Sequence, residues 1–108
     1  MAINKICERY SAFVFPTDTD TLARINFYCQ DDYRLYVLFQ DPGEGELPEN
    51  QYLADYNLGR SYALLSQYPN YIDLVRNETP IRVVFIPEES PPRFIIYASH
   101  EEVGEGEM

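Results

Sequence analysis

Two neighbouring segments alternate between apolar and polar residues with a period of two, and they constrain the fold more than any other feature. The segments are residues 22–29 and 33–40. The residues that share one face are Ala23, Ile25, Phe27 and Cys29 in the first segment and Tyr33, Leu35, Val37 and Phe39 in the second. This alternation is typical of β-strands with one buried face. We therefore expect the two segments to pair as a β-hairpin.

The length of the connecting loop follows from the match between these faces. A two-residue turn would set Cys29 opposite Arg34, which places an apolar position against a polar one. A slip of one residue moves every side chain to the other face of a sheet, so a three-residue loop over 30–32 is favoured. The pairs that this loop predicts are Cys29 with Tyr33, Phe27 with Leu35 and Ile25 with Val37.

A second hairpin is predicted near the C-terminus, from residues 80–86 and 93–99, which flank the sequence PEESPP. Both segments are apolar at successive positions, unlike those of the first hairpin. Strands of this kind usually lie inside a sheet or are covered on both sides. We expect this hairpin in the interior of the sheet.

Between the hairpins, residues 51–77 carry apolar residues at broken helical spacing. Asn50 is a candidate cap for a short helix that ends at Gly59, and Ser61 is a candidate start for another. An internal proline costs a helix about 3 kcal/mol, so Pro69 favours short helices over one long helix. We expect this segment to pack over one face of the sheet.

The first ten residues fit two structures. Ile3, Ile6, Cys7 and Tyr10 lie at helical spacing, and an aromatic, β-branched run follows them. One interpretation is a short helix followed by a strand near residues 10–15. The other is a single strand that begins near Lys5.

These elements predict an α+β domain over residues 1–100. Its sheet is expected to be mostly antiparallel with four to five strands, built on hairpins at 22–40 and 80–99, with the broken helical segment 51–77 on one face. A small β-barrel or sandwich with a helical cap is the alternative fold. A chain of 108 residues has the usual size of one domain. Residues 101–108 are expected to be an acidic, disordered tail.

The net charge of −10 is unevenly distributed. Residues 41–50 and 101–108 together contain eight carboxylates and no Lys or Arg, so the rest of the chain has a net charge of only −2. Such segments are usually solvated loops. Direct binding to nucleic acid is not expected, because it requires a basic face that displaces counterions.

The sequence contains no catalytic, cofactor or metal motif that passes a spacing test. His100 is the sole histidine and lies at the junction with the acidic tail. Asp18 and Asp20 have the first spacing of a calcium loop, but the sixth and twelfth positions are Ala23 and Cys29 instead of Gly and Glu. Two separated cysteines and one histidine do not fill a zinc site. No cofactor is expected.

The location expected from the sequence is the cytoplasm. The chain shows no signal peptide and no apolar run of membrane-spanning length. Cys7 and Cys29 do not form a CxxC motif or a disulfide framework, so both thiols are expected to be reduced.

The sharpest candidate for function is the polar face of the first hairpin. It carries Arg24, Tyr28, Arg34 and Tyr36, and Arg and Tyr are enriched at interface hot spots. The presence of two arginines and two tyrosines on one face predicts a docking surface for a protein or for a small anionic ligand. The alternatives are a solvent face whose arginines lie over tyrosines and a face that the chain's own helices cover.

Three functions remain open from the sequence. The first is a non-enzymatic interaction domain that binds an unknown protein or a second copy of this chain. The second is a small-molecule binder or small enzyme with a Tyr and Arg pocket between the sheet and the helices. The third, ranked last, is an acidic mimic of nucleic acid, which would need carboxylates on rigid elements.

Overall fold

Seven strands and one α-helix form the part of the chain that the structure, a computed structural model, describes: residues 2–15, 21–78 and 80–98. In chain order they are β1 (Ile3–Val14), β2 (Ala23–Cys29), β3 (Arg34–Gln40), β4 (Gln51–Leu53), β5 (Leu58–Leu64), α1 (Tyr68–Asn77), β6 (Ile81–Ile86) and β7 (Arg93–Ala98). Short 3-10 turns lie at Gln30–Asp32, Ala54–Tyr56 and Leu65–Gln67. No helix within these ranges is long and apolar enough to cross a bilayer.

All seven strands belong to one sheet in the order β4-β5-β3-β2-β1-β6-β7. The sheet curls into a half-barrel around α1, which confirms the α+β class. The expectation of four to five strands is wrong, because β1, β4 and β5 join the two predicted hairpins. The sheet is also mixed, since β3 and β5 run parallel while the other neighbours are antiparallel.

The first hairpin has the predicted register. Phe27 pairs with Leu35 and Ile25 pairs with Val37 across β2 and β3. The backbone N–H of Cys29 donates to the carbonyl of Tyr33 at 2.8 Å, which closes the three-residue loop. The residues that turn the loop are Asp31 and Asp32, with φ angles of 61° and 64°. Aspartate tolerates this left-handed region because its short side chain bonds locally.

The N-terminal segment is a strand rather than a helix. Ile3–Ile6 pairs with β6, and the part of β1 from Cys7 to Val14 pairs with β2. The register shifts after Cys7, so Glu8 bulges out between the two halves. A bulge bends a strand, which lets β1 form the corner that joins the two parts of the half-barrel. Partners on both sides override the local helical spacing.

The prediction for the middle segment is wrong over most of its length. Residues 51–64 form β4, a 3-10 turn and β5, and the helix begins only at Tyr68. Pro69 lies in the first turn of α1, where its missing N–H removes no helical hydrogen bond. Proline therefore starts this helix instead of interrupting it. The part of the prediction that holds is a helix over one face of the sheet.

The second hairpin forms as predicted, but only one of its two strands lies in the interior of the sheet. β6 lies between β1 and β7, and β7 is an edge strand. Val83 and Phe85 of β6 are buried, whereas Ile95 of β7 is 36% exposed. The apolar residues on the second face of this hairpin are therefore only partly covered within the described structure.

The core fills the concave inner face of the half-barrel. Phe39 meets Tyr68 and Tyr71 of α1 edge to face, with ring centroids 5.0 and 4.9 Å apart. Phe85 and Phe94 meet in the same manner at 5.8 Å. Such edge-to-face pairs stabilise a core beyond the burial of their area. These contacts hold α1 against the sheet, and no helix or strand of the described ranges packs on the opposite face of β1, β2, β3 and β5.

The acidic loop 41–50 connects β3 to β4 and contains no helix or strand. Its four carboxylates, Asp41, Glu44, Glu46 and Glu49, are exposed. The other acidic segment, 101–108, lies outside the described residues, as does His100, so the expectations about them stay predictions.

Candidate interaction face

The face of β1, β2, β3 and β5 that points away from α1, called here the outer face, carries four arginine and four aromatic side chains. Strand alternation and the observed register place them there. The arginines are Arg9, Arg24, Arg34 and Arg60, and the aromatic residues are Phe13, Tyr28, Tyr36 and Tyr62. All four residues predicted from the first hairpin are thus on one face of adjacent strands.

Arg24 and Tyr36 belong to a group of stacked side chains at one end of this face. The Arg24 Cζ atom lies 5.6 Å from the centroid of the Tyr36 ring and 4.8 Å from that of Phe13. The Phe13 and Phe15 rings stack with centroids 6.1 Å apart. A guanidinium over aromatic rings gains both dispersion and cation–π attraction. This group is called the Arg24 cluster.

Tyr28 and Arg34 lie at the other end of the face, so the four predicted residues do not form one cluster. They pair directly across β2 and β3. The Arg9 Cζ atom lies 4.0 Å from the centroid of the Tyr28 ring, and Arg34 Nη2 donates to the carbonyl of Tyr56 at 3.1 Å. This second group is called the Tyr28 cluster. An arginine therefore lies over a tyrosine ring in both groups. This is the arrangement that the sequence also allows for an ordinary solvent face.

Asn26 separates the two clusters and is only 4% exposed, although none of the described helices or strands packs over it. Its Nδ2 donates to the Tyr28 hydroxyl at 3.1 Å. Its Oδ1 and the Arg24 Nε are buried and have no hydrogen-bond partner within the described part of the chain. Buried polar atoms in native proteins are nearly always satisfied, so two neighbouring exceptions on one face are unusual.

The charge of the outer face is opposite to that of the whole protein. The paired outward positions of β1, β2, β3 and β5 carry four arginines and no Asp or Glu. The protein as a whole has a net charge of −10. Because exposed charges more than a Debye length apart are largely screened, the local excess of arginine decides what this face attracts.

A cleft of about 630 Å³ adjoins the Tyr28 cluster, where the loops of β2–β3 and β4–β5 meet. Arg9 and Arg34 line it together with three carboxylates, those of Glu8, Asp32 and Asp55. The carboxylates outnumber the arginines there. The cleft therefore has no net attraction for an anionic ligand.

The space between the sheet and α1, where the sequence placed a possible ligand pocket, holds a cavity of about 230 Å³. Its lining includes Tyr71 and Asn70 but no charged side chain. Burial raises the pKa of Tyr71, so the hydroxyl stays protonated there. The arginines lie on the outer face and in the cleft instead.

Sequence reasoning missed the members of the face that come from β1 and β5. The signal for β5 was present, because Leu58, Arg60 and Tyr62 alternate with small residues. The spacing of the neighbouring tyrosines also fits a helix, and the helical pattern is the basis of the prediction for residues 51–77. For Arg9 and Phe13 the signal was ambiguous, because the first ten residues fitted both a helix and a strand.

Comparisons of the chain with protein-family models, with curated proteins and with solved structures found no match. The function is therefore inferred from the geometry of this chain alone. Within the described ranges, no three His, Cys, Asp or Glu side chains converge in a way that could hold a metal ion.

Proposed function

We propose that this protein is a non-enzymatic interaction domain that binds a protein partner through its outer face. The observation that carries the proposal is the pair of unsatisfied buried atoms, Asn26 Oδ1 and Arg24 Nε, at the centre of an uncovered arginine and aromatic surface. Aromatic and arginine side chains supply much of the binding energy at protein interfaces. Neighbouring side chains cover both atoms, so a partner that displaces those side chains would donate to Asn26 Oδ1 and accept from Arg24 Nε.

The chemistry of the face favours a partner surface with carboxylates and aromatic or apolar groups. Carboxylates would pair with Arg9, Arg34 and Arg60, and flat apolar groups would cover the rings between them. A second copy bound face to face would set arginines against arginines, which is unfavourable. A different protein is therefore the better occupant, and a homodimer is an outcome that the test distinguishes.

Two other functions have less support. A nucleic acid would find only four arginines on the outer face of a protein whose net charge is −10 and whose loop 41–50 is acidic and exposed. A mimic of nucleic acid would need its carboxylates on rigid elements, but that loop contains no helix or strand. We also propose that the protein acts in the cytoplasm, the location expected from the sequence.

The test selects peptides from a displayed random library on the immobilised full-length protein. Selected peptides should be enriched in Asp or Glu next to aromatic residues. Their affinity should fall at least tenfold, or roughly 1.4 kcal/mol, in the variant Tyr36→Ala/Arg60→Ala, which removes two paired neighbours of β3 and β5. This variant leaves the Arg34 hydrogen bond to Tyr56 in place.

The matched control is Arg93→Ala, which removes an exposed arginine from the edge strand β7, a strand that contributes nothing to the outer face. It should bind the selected peptides as the original protein does. Peptides without acidic residues, or peptides that bind the double variant equally well, would contradict the proposal. Two further outcomes would overturn the proposal. Dimerisation in sedimentation that the double variant abolishes would assign the face to a second copy of the chain. Tight binding of a labelled single-stranded oligonucleotide that the double variant abolishes would assign it to nucleic acid.

A further inference from the structure

The two cysteines of the chain face each other directly across β1 and β2. Cys7 and Cys29 are Cα partners in the antiparallel register, and both pack against the buried core of the half-barrel. Opposite residues in antiparallel strands have Cα atoms about 4.5–5.5 Å apart, which lies inside the range of about 4.4–6.8 Å that a disulfide spans. Both thiols are free in this structure.

The electrostatic surroundings of the two thiols differ. The neighbouring Cys29 thiol lowers the pKa of Cys7, whereas the Cys7 side chain and burial raise the pKa of Cys29. Cys7 in its protonated form donates to the carbonyl of Arg9 at 3.2 Å. Cys7 therefore loses its proton before Cys29.

The two thiols also differ in access. Cys7 is partly exposed and lines a surface cavity of about 410 Å³ beside the C-terminal end of α1. Cys29 is 5% exposed and lies in the wall of the separate cleft next to the Tyr28 cluster. A small molecule in solution therefore reaches Cys7 first. The bulge at Glu8, directly after Cys7, supplies local freedom for the sulfur atoms to approach each other.

We propose that Cys7 and Cys29 form a reversible dithiol–disulfide site that hydroperoxides oxidise, in which Cys7 reacts first and Cys29 resolves the product. The proposal depends on the register, on the shared face and on the difference in access between the two thiols. It does not depend on what binds the outer face.

The reaction consumes one hydroperoxide and releases two molecules of water when the oxidant is hydrogen peroxide. The Cys7 thiolate attacks one oxygen, an S–O bond forms and the O–O bond breaks, which leaves a sulfenic acid and a hydroxide that takes up a proton. Cys29 then loses its proton and its sulfur attacks Cys7 Sγ. The S–S bond forms, the S–O bond breaks, and the departing hydroxide leaves as water with that proton. A dithiol reductant returns both thiols by exchange.

The experiment treats the reduced full-length protein with one equivalent of hydrogen peroxide, then blocks remaining thiols with N-ethylmaleimide under denaturing conditions. The intact mass should fall by two hydrogen atoms and show no maleimide adduct. Trypsin cleaves after Lys5, Arg9, Arg24 and Arg34, so it should release fragment 6–9 joined to fragment 25–34. Reduction should separate the fragments. Two maleimide adducts after peroxide, or disulfides only between different molecules, would overturn the proposal.

Single variants separate the roles of the two thiols. In Cys29→Ser the reaction should stop at a Cys7 sulfenic acid, which dimedone captures, whereas in Cys7→Ser neither dimedone nor peroxide should modify Cys29 in the folded protein. Dimedone capture at Cys29 first would reverse the assignment and contradict it. Alkylation of Cys7 should reach half its maximal rate below pH 9.0, the ordinary value of a cysteine, and that midpoint should rise in Cys29→Ala, which cannot donate a hydrogen bond. A merely buried, inert pair would show neither shift. Circular dichroism of each variant checks that it is folded.

Discussion

The inner and outer faces of β1, β2, β3 and β5 both carry aromatic side chains but hold them differently. On the inner face, Phe27 and Phe39 are fully buried, and α1 packs on Phe39 through two tyrosine rings. On the outer face, Phe13 and Tyr36 remain partly exposed, and their neighbours are arginines of the same face. Aromatic residues on the inner face therefore stabilise the fold, while those on the outer face remain available to a partner.

The largest predicted effect contrasts one phenylalanine from each face. Phe39→Ala removes a fully buried ring and leaves a cavity under α1, so the free energy of unfolding should fall by about 3–5 kcal/mol. Phe13→Ala removes a partly exposed ring stacked on Phe15 and Arg24, and the loss should be about 1 kcal/mol. Urea denaturation followed by circular dichroism measures both.

If Phe39→Ala does not fold, Phe39→Leu provides the same contrast on a smaller scale. Equal losses at Phe39 and Phe13 would show that both faces contribute to stability alike. The distinction between a structural face and an available face would then be wrong.

A smaller effect is expected where two walls of the half-barrel approach each other. A Cβ atom added to Gly59 of β5 would lie 2.7 Å from Phe94 Cζ and 3.1 Å from Leu35 Cδ1. Gly59→Ala must therefore displace the Phe94 ring, and overpacking of this kind costs about 1–3 kcal/mol. The change in the urea midpoint measures it.

Ser61→Ala, at the next inward position of β5, is the matched control and should change stability little. In a double-mutant cycle, Phe94→Leu should relieve part of the cost of Gly59→Ala, because the smaller side chain leaves room for the new methyl group. Independent effects of the two substitutions would mean that Gly59 is required for some reason other than the approach of Phe94.

Gly59 also shows why the sequence did not reveal β5. The inward positions of this strand are the small residues Gly59, Ser61 and Ala63, and at Gly59 the close approach of the Phe94 ring leaves no room for a side chain. A strand whose buried face is small lacks the apolar alternation that identified β2 and β3. Its pairing partner β3 runs parallel and lies beyond the acidic loop 41–50, so no local turn chemistry indicates the pairing.

The candidate face was predictable to the extent that it is local. Arg24, Tyr28, Arg34 and Tyr36 share a face because a three-residue loop sets the register of one hairpin, and matching faces determine that register. Arg9 and Arg60 reach the same face from strands paired by long-range contacts, which sequence periodicity does not encode. The cysteine pair was missed for the same reason, since it depends on the register between β1 and β2.

The smallest effect is expected at Asn26, which is buried on the outer face as deeply as the residues of the inner core. Asn26→Val loses the hydrogen bond from Nδ2 to the Tyr28 hydroxyl, but it also removes the buried Oδ1 that has no partner in the described structure. Valine favours strands more than asparagine does. Tyr28 is only partly buried and lines the surface cleft, so water can replace the lost hydrogen bond. The free energy of unfolding should therefore change by less than about 1 kcal/mol in either direction. The adjacent substitution Phe27→Ala, on the inner face, should cost about 3–5 kcal/mol.

The Asn26→Val variant should also bind the peptides selected on the outer face more weakly, because it removes an acceptor that a partner is expected to use. A loss of stability comparable to that of Phe27→Ala would instead make Asn26 a structural residue, and the unsatisfied oxygen would no longer point to a partner.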